Sequence, residues 1–157
     1  MPSSITLSMS ASVGSAPVAV VSGQLLGDER ADIAVAALSG VFIFEQQEKD
    51  FLLREIGSGS EGYSPTGLLA TDLGGSGRVD LVLANALPPG AIEVFSARIG
   101  VGFSSSQLLP GSEVQTDAES FLPAAMVHVD LNRDGKKDFV VANRSGDEMT
   151  VFWGGRR

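Results

Sequence analysis

Residues 130–143, DLNRDGKKDFVVAN, are the stretch on which the fold turns. Oxygen-bearing side chains fall at Asp130, Asn132 and Asp134, a glycine follows at 135, and a fourth acid at Asp138 leads into an abruptly apolar run. Such a stretch is a metal loop, a plain Asx-rich turn, or one copy of something repeated. The third possibility is tested first, because a missed repeat misassigns the whole fold.

The aspartate that precedes the apolar run recurs. Asp32 precedes IAVAA, Asp80 precedes LVLAN and Asp138 precedes FVVAN. Eight residues upstream stand Gln24, Asp72 and Asp130, and seven residues before those stand Pro17, Pro65 and Pro123. Downstream, each run meets a turn rich in Gly, Ser or Pro and then a second strand-like run, GVFIFE, AIEVFS or MTVFWG. The anchors lie 48 and then 58 residues apart. Three of the ten extra residues fall between the anchor and the phenylalanine of the second run (Phe44, Phe95), and seven between that phenylalanine and the next loop. Insertions confined to connections are what a repeat tolerates.

The segments between these turns are four to seven residues long and rich in Val, Ile, Leu and Phe, and none keeps a helical period with caps. The fold class is therefore all-β, in three antiparallel units of four strands each. Within each unit the nine-residue loop joins the first strand (VAVV, GLLAT or AAMVHV) to the second, and a less regular fourth strand follows the third, as in FLLREI and GFSSSQLL. The second strand is apolar on both faces, which requires sheets stacked face to face.

Composition narrows the function classes. A chain of 157 residues with 43% hydrophobic content supports one sizeable core, and the expected organisation is one domain over 1–157. With 11 basic and 19 acidic residues the net charge is −8, which argues against nucleic acid and anionic membrane as partners. There are no cysteines, so disulfides, thiolate metal sites and cysteine nucleophiles are excluded. The N-terminal MPSSITLSMSASV has neither a basic start nor a long apolar run, so no signal peptide or membrane span is read there.

DLNRDGKKDFVVAN together with SPTGLLATDLGGSGRVDLVLAN resembles the FG-GAP or VCBS-type repeat of integrin alpha-subunit propellers and many bacterial secreted proteins. The resemblance covers residues 4–154; it is specific in the third unit, degraded in the second and weak in the first. It implies a β-propeller in which each unit is one four-stranded blade, often with calcium in the loop between the first two strands, and it favours an extracellular location. The blades would span 14–62, 63–109 and 110–157, with 4–13 as the strand that completes the last.

The chemistry of the third loop agrees. Calcium takes six to eight hard oxygen ligands from a flexible loop. Asp130, Asn132, Asp134 and Asp138 occupy loop positions one, three, five and nine, with the carbonyl of Lys136 at seven. The opening is shared with the EF-hand, but position twelve is Val141 where the EF-hand needs glutamate, and a strand precedes the loop. The expected cofactor is calcium, of modest affinity. In the second loop only Asp72 and Asp80 survive beside Gly74, Ser76 and Arg78. The first, with Gln24, Leu26, Asp28, Arg30 and Asp32, is expected to be metal-free.

Catalysis finds little support. His128 is the single histidine and lies within a first strand; Glu61, Glu113, Asp117 and Glu119 could pair, but nothing fixes their separation. The expected function is a non-catalytic binding scaffold, with part of a secreted carbohydrate-active enzyme or a purely structural fragment as the alternatives. In the family, ligands usually meet the face opposite the calcium loops, which here means connections 57–64, 87–90, 110–122 and 144–148. Glu61, Tyr63, Asp117, Phe121 and Arg144 are the candidate contacts, suited to a carbohydrate or an extended peptide.

Aligning Pro17 with Pro65 places ITLSMS on LLREIG, so the N-terminal strand is read as a fourth strand without a first three, and MTVFWGG as a third strand without a fourth. The expected assembly is a head-to-tail homodimer, a six-bladed ring in which each N-terminal strand completes the neighbour's last blade by strand swapping.

Overall fold

The computed structural model describes residues 10–57, 64–88, 90–98, 102–104, 107–109 and 121–154. Within them the chain is all-β, antiparallel in every ladder, with a 3-10 turn at Ser145–Asp147. The first sheet holds β1 (Pro17–Gly23), β2 (Asp32–Ala37), β3 (Gly40–Gln46) and β4 (Phe51–Gly57), in that order. β5 (Pro65–Thr71), β6 (Asp80–Asn85) and β7 (Ala91–Phe95) begin the second. β8 (Ala97–Arg98) and β9 (Gly102–Phe103) form a ladder of their own, and β10 (Gln107–Leu109) then completes the second sheet on the edge of β7. β11 (Pro123–Val129), β12 (Asp138–Asn143) and β13 (Glu148–Phe152) make the third.

The repeated prolines each open a first strand, where a missing N–H costs no ladder bond. All three are followed by the same irregularity, between Pro17 and Ala19, Pro65 and Gly67, and Pro123 and Ala125.

One expectation about the fourth strands needs correction. GFSSSQLL is not one strand: Gly102–Phe103 pairs with Ala97–Arg98, and only Gln107–Leu109 lies on β7. The third sheet has three strands among the described residues. Residues 4–9 of the segment expected to complete it lie outside them, and residues 10–13 carry no strand. Val13 instead packs on the outer face of the first sheet, where Val35, Ala37, Phe42 and Phe44 are buried.

The sheets stack as the two-sided apolar second strands require. Ala34, Ala36, Val41 and Ile43 of the first sheet share a core with Leu68, Leu81, Leu83 and Phe95 of the second. The other face of the second sheet, with Val82, Ala84, Ile92 and Val94, meets Phe139, Val141 and Phe121. Neighbouring residues of β6 thus serve opposite cores, and burying each large aliphatic side chain contributes about 1.5–3 kcal/mol. The first strands adjoin across sheets: the Thr66 hydroxyl donates to the Pro123 carbonyl at 2.5 Å, and His128 Nδ1 lies 2.8 Å from Thr71 Oγ1.

Candidate metal centre

All three loops hang from one acid. Asp32 and Asp138 are 0% exposed. Asp32 Oδ2 accepts from the N–H groups of Leu25 and Leu26, and its Oδ1 from that of Gln46, the last residue of β3. Asp80 accepts from Leu73 and Ala97. Asp138 accepts from Leu131 at 2.8 Å and from Gly154 at 2.9 Å. The donors occupy matching positions, so each aspartate ties the start of its loop to the end of its third strand. Gly154 is required for that approach, since a Cβ there would come within 2.1 Å of the Lys137 carbonyl oxygen.

Asp138, expected as a metal ligand, therefore has a structural task that Asp32 performs equally in a loop without the other ligands. A carboxylate oxygen with one backbone donor keeps a second lone pair, so the two roles are compatible.

Positions one to seven share a second layer of bonds. In the third loop Asp130 Oδ1 accepts from Asp134 N and Oδ2 from Gly135 N. In the second, Asp72 Oδ1 accepts from Ser76 N and Oδ2 from Gly77 N, the same two positions. Position seven donates to the side chain at position five in every loop: Arg30 to Asp28, Arg78 to Ser76 and Lys136 to Asp134. Asn132 joins in the third loop, its Oδ1 accepting from Asp134 N and its amide donating to Asp134 Oδ2. Position four takes a left-handed backbone throughout, at Gly27 (φ 83), Gly75 (φ 66) and Arg133 (φ 60). Position six does so at Gly77 and Gly135.

The structure thus brings Asp130, Asn132 and Asp134 together around one short turn, with the Lys136 backbone beside them. An all-oxygen donor set of two carboxylates, an amide oxygen and a carbonyl suits a hard cation. Among the described residues no group of three or more His, Cys, Asp or Glu side chains gathers in a metal-binding arrangement. For Asp72, burial pushes the carboxyl up, but the backbone donors Ser76, Gly77 and Gly75 and the Ser76 hydroxyl outweigh it and hold the carboxyl below its ordinary value.

Of the candidate ligand contacts, Glu61, Tyr63 and Asp117 lie outside the described residues, as do Glu113 and Glu119. Phe121 is a correction: it is 3% exposed and packs in the core between the second and third sheets, so it is no ligand platform. The chain turns inward there because Leu122 N donates to Asn143 Oδ1 and Arg144 N to the Leu122 carbonyl. The Arg144 residue is exposed. Sequence reasoning missed a cleft between the first and second loops, lined by Leu26, Asp28, Glu29, Arg78, Val79 and Arg98. Arg98 stands three residues past Phe95, where the first unit has Gln47, so the repeat gave no signal for it.

No protein-family model matches the chain, and no curated protein matches it. Among solved structures, the crystal structure of BBS1N in complex with ARL6DN, soaked with lead, matches with a TM-score of 0.49 and 16% sequence identity. That match covers 90% of this chain and 44% of the other, so the chain spans less than half of that chain's length. No helix among the described residues is long and apolar enough to cross a membrane.

Proposed function

We propose that this chain is a calcium-binding repeat module of the β-propeller type that works as a non-catalytic binding scaffold. The observation that carries the reading is the third loop, where a frame common to all three loops holds the oxygens of Asp130, Asn132 and Asp134 on one turn. These residues, the Lys136 carbonyl and the remaining lone pairs of Asp138 would hold the ion. Calcium supplies charge neutralisation and a rigid loop rather than reaction chemistry. The acids repel one another without it, so the ion stabilises the folded loop by mass action. The second and first loops keep the frame without the ligands, and function there as connections. The connections opposite the loops, with Arg144 among them, remain the surface for a carbohydrate or protein ligand.

The test is calcium titration followed by calorimetry and by thermal melting, on the wild type and on Asp130→Ala/Asp134→Ala. At free calcium of about 100 times the dissociation constant, binding adds about 2.7 kcal/mol. That corresponds to a rise of roughly 5–10 °C in melting temperature for a chain of this size. The double variant should show no calcium-dependent rise. An equal rise in both proteins would place the ion elsewhere.

A further inference from the structure

The two internal sheet interfaces follow one rule. Val21, Ala34 and Val41 of the first sheet occupy the same repeat positions as Leu69, Val82 and Ile92 of the second, and each set is covered by the opposite face of the following sheet. At the first strands the meeting side chains are Val21 with the core that contains Leu68, and Leu69 with the core that Met126 joins. The rule leaves two half-interfaces open. The third sheet repeats the covered face with Val127, Val140 and Met149, yet no following sheet covers it among the described residues, and Val127 is 60% and Met149 67% exposed. The first sheet repeats the Leu68 and Met126 position with Val20, which is 66% exposed.

We propose that these two surfaces are halves of one interface, and that the occupant of the third sheet's outer face is the first sheet of a second copy of this chain. Both carry the apolar pattern that is buried wherever the matching face is present, and both include a first strand, the element that adjoins across sheets within the chain. The middle of the first sheet's outer face is already closed by Val13 and Phe51, so the contact centres on β11 of one copy against β1 of the next. Joining unlike surfaces makes the interface head-to-tail, and head-to-tail contacts satisfy every copy only in a closed ring, of which a pair is the smallest. The exposed Val127, Val129 and Met149 then leave water together, removing an apolar patch that would promote indiscriminate association. The inference shares with the calcium reading only the stacking of sheets, and it fails separately from it.

Sedimentation equilibrium with and without a calcium chelator is the first experiment, and twice the 16.3 kDa chain mass is expected in both. Val127→Glu and Val20→Glu should each give a monomer at the concentration where the wild type is paired, with unchanged far-ultraviolet dichroism. The chain has no cysteine, so single cysteines report geometry cleanly. An oxidised mixture of Val20→Cys and Val127→Cys proteins should yield the mixed disulfide, whereas Val127→Cys alone should not link to itself. A monomeric wild type would overturn the proposal and leave the face to a partner of another kind. Self-linking of Val127→Cys without the mixed product would overturn the head-to-tail pairing.

Discussion

The first and third loops have the same skeleton and different chemistry. Both start from a leucine N–H held by a buried aspartate, both turn left-handed at position four, and both close with position seven donating to an acid at position five. The third then presents Asp130, Asn132 and Asp134, where the first presents Gln24, Leu26 and Asp28. Leu26 packs against the core between the first two sheets, while Asn132 is exposed. What forms the loop is thus position nine, and what would fill it is positions one, three and five.

The largest effect is expected from breaking the shared part. Asp32→Ala leaves three backbone donors without their acceptor and Asp138→Ala leaves two, and a buried group deprived of its partner costs about 1–3 kcal/mol. Urea denaturation in the absence of calcium should show losses of about 3 kcal/mol or more for Asp32→Ala and somewhat less for Asp138→Ala. If Asp138→Ala lost stability only in calcium, its carboxylate would be a ligand first and a tie second.

Next comes conversion of one loop into the other. Gln24→Asp, Leu26→Asn and Glu29→Gly together give the first loop the ligand set of the third. A second calcium equivalent by calorimetry is expected, at a cost of about 1–2 kcal/mol in the calcium-free protein from the lost packing of Leu26. No second equivalent would mean that the frame alone does not position the oxygens.

The second loop sharpens the comparison through pH. The Asp72 carboxyl is held below its ordinary value of 3.8 in the folded protein. Its contribution is therefore fully present above that value and is lost as pH falls through the lower folded value. Asp72→Asn should lower stability at neutral pH, where that contribution is fully present, and flatten the part of the acid denaturation curve below about pH 4. The smallest effect is at position four. Arg133 is the non-glycine member of a left-handed set, so Arg133→Gly should change stability by no more than about 0.5 kcal/mol, relief of crowding being offset by chain entropy. Arg133→Val should be clearly worse in the same melting experiment.

Most of the strand order was legible because the acid, the proline and the two-sided apolar run recur at fixed offsets. The same spacing named Asp130, Asn132 and Asp134 as neighbours. It could not show the second task of Asp138, because its partner Gly154 lies beyond two further strands and an acid before a strand reads alike as ligand or tie. Phe121 was misread because an aromatic beside a long acidic connection resembles a binding loop, and only the bonds of Leu122 and Arg144 to the β12 end turn it inward. Val13 was assigned to a strand because aligning Pro17 with Pro65 set the N-terminal segment on LLREIG, whereas it packs beside the buried Phe42 and Phe44 of the first sheet.

The buried aspartates also set the order in which a unit comes apart. Each one bridges the loop after the first strand to the residue after the third, so strands one to three are closed into a clasp. The fourth strand, β4 or β10, lies outside that clasp and is held by a single ladder to its neighbour. Under tension, or in spontaneous opening, it can peel away while the clasp stays shut, and its amides should exchange with solvent before those of β2 or β6. A strand that detaches without unlocking the rest of its sheet is the one piece of this architecture that different chains can trade.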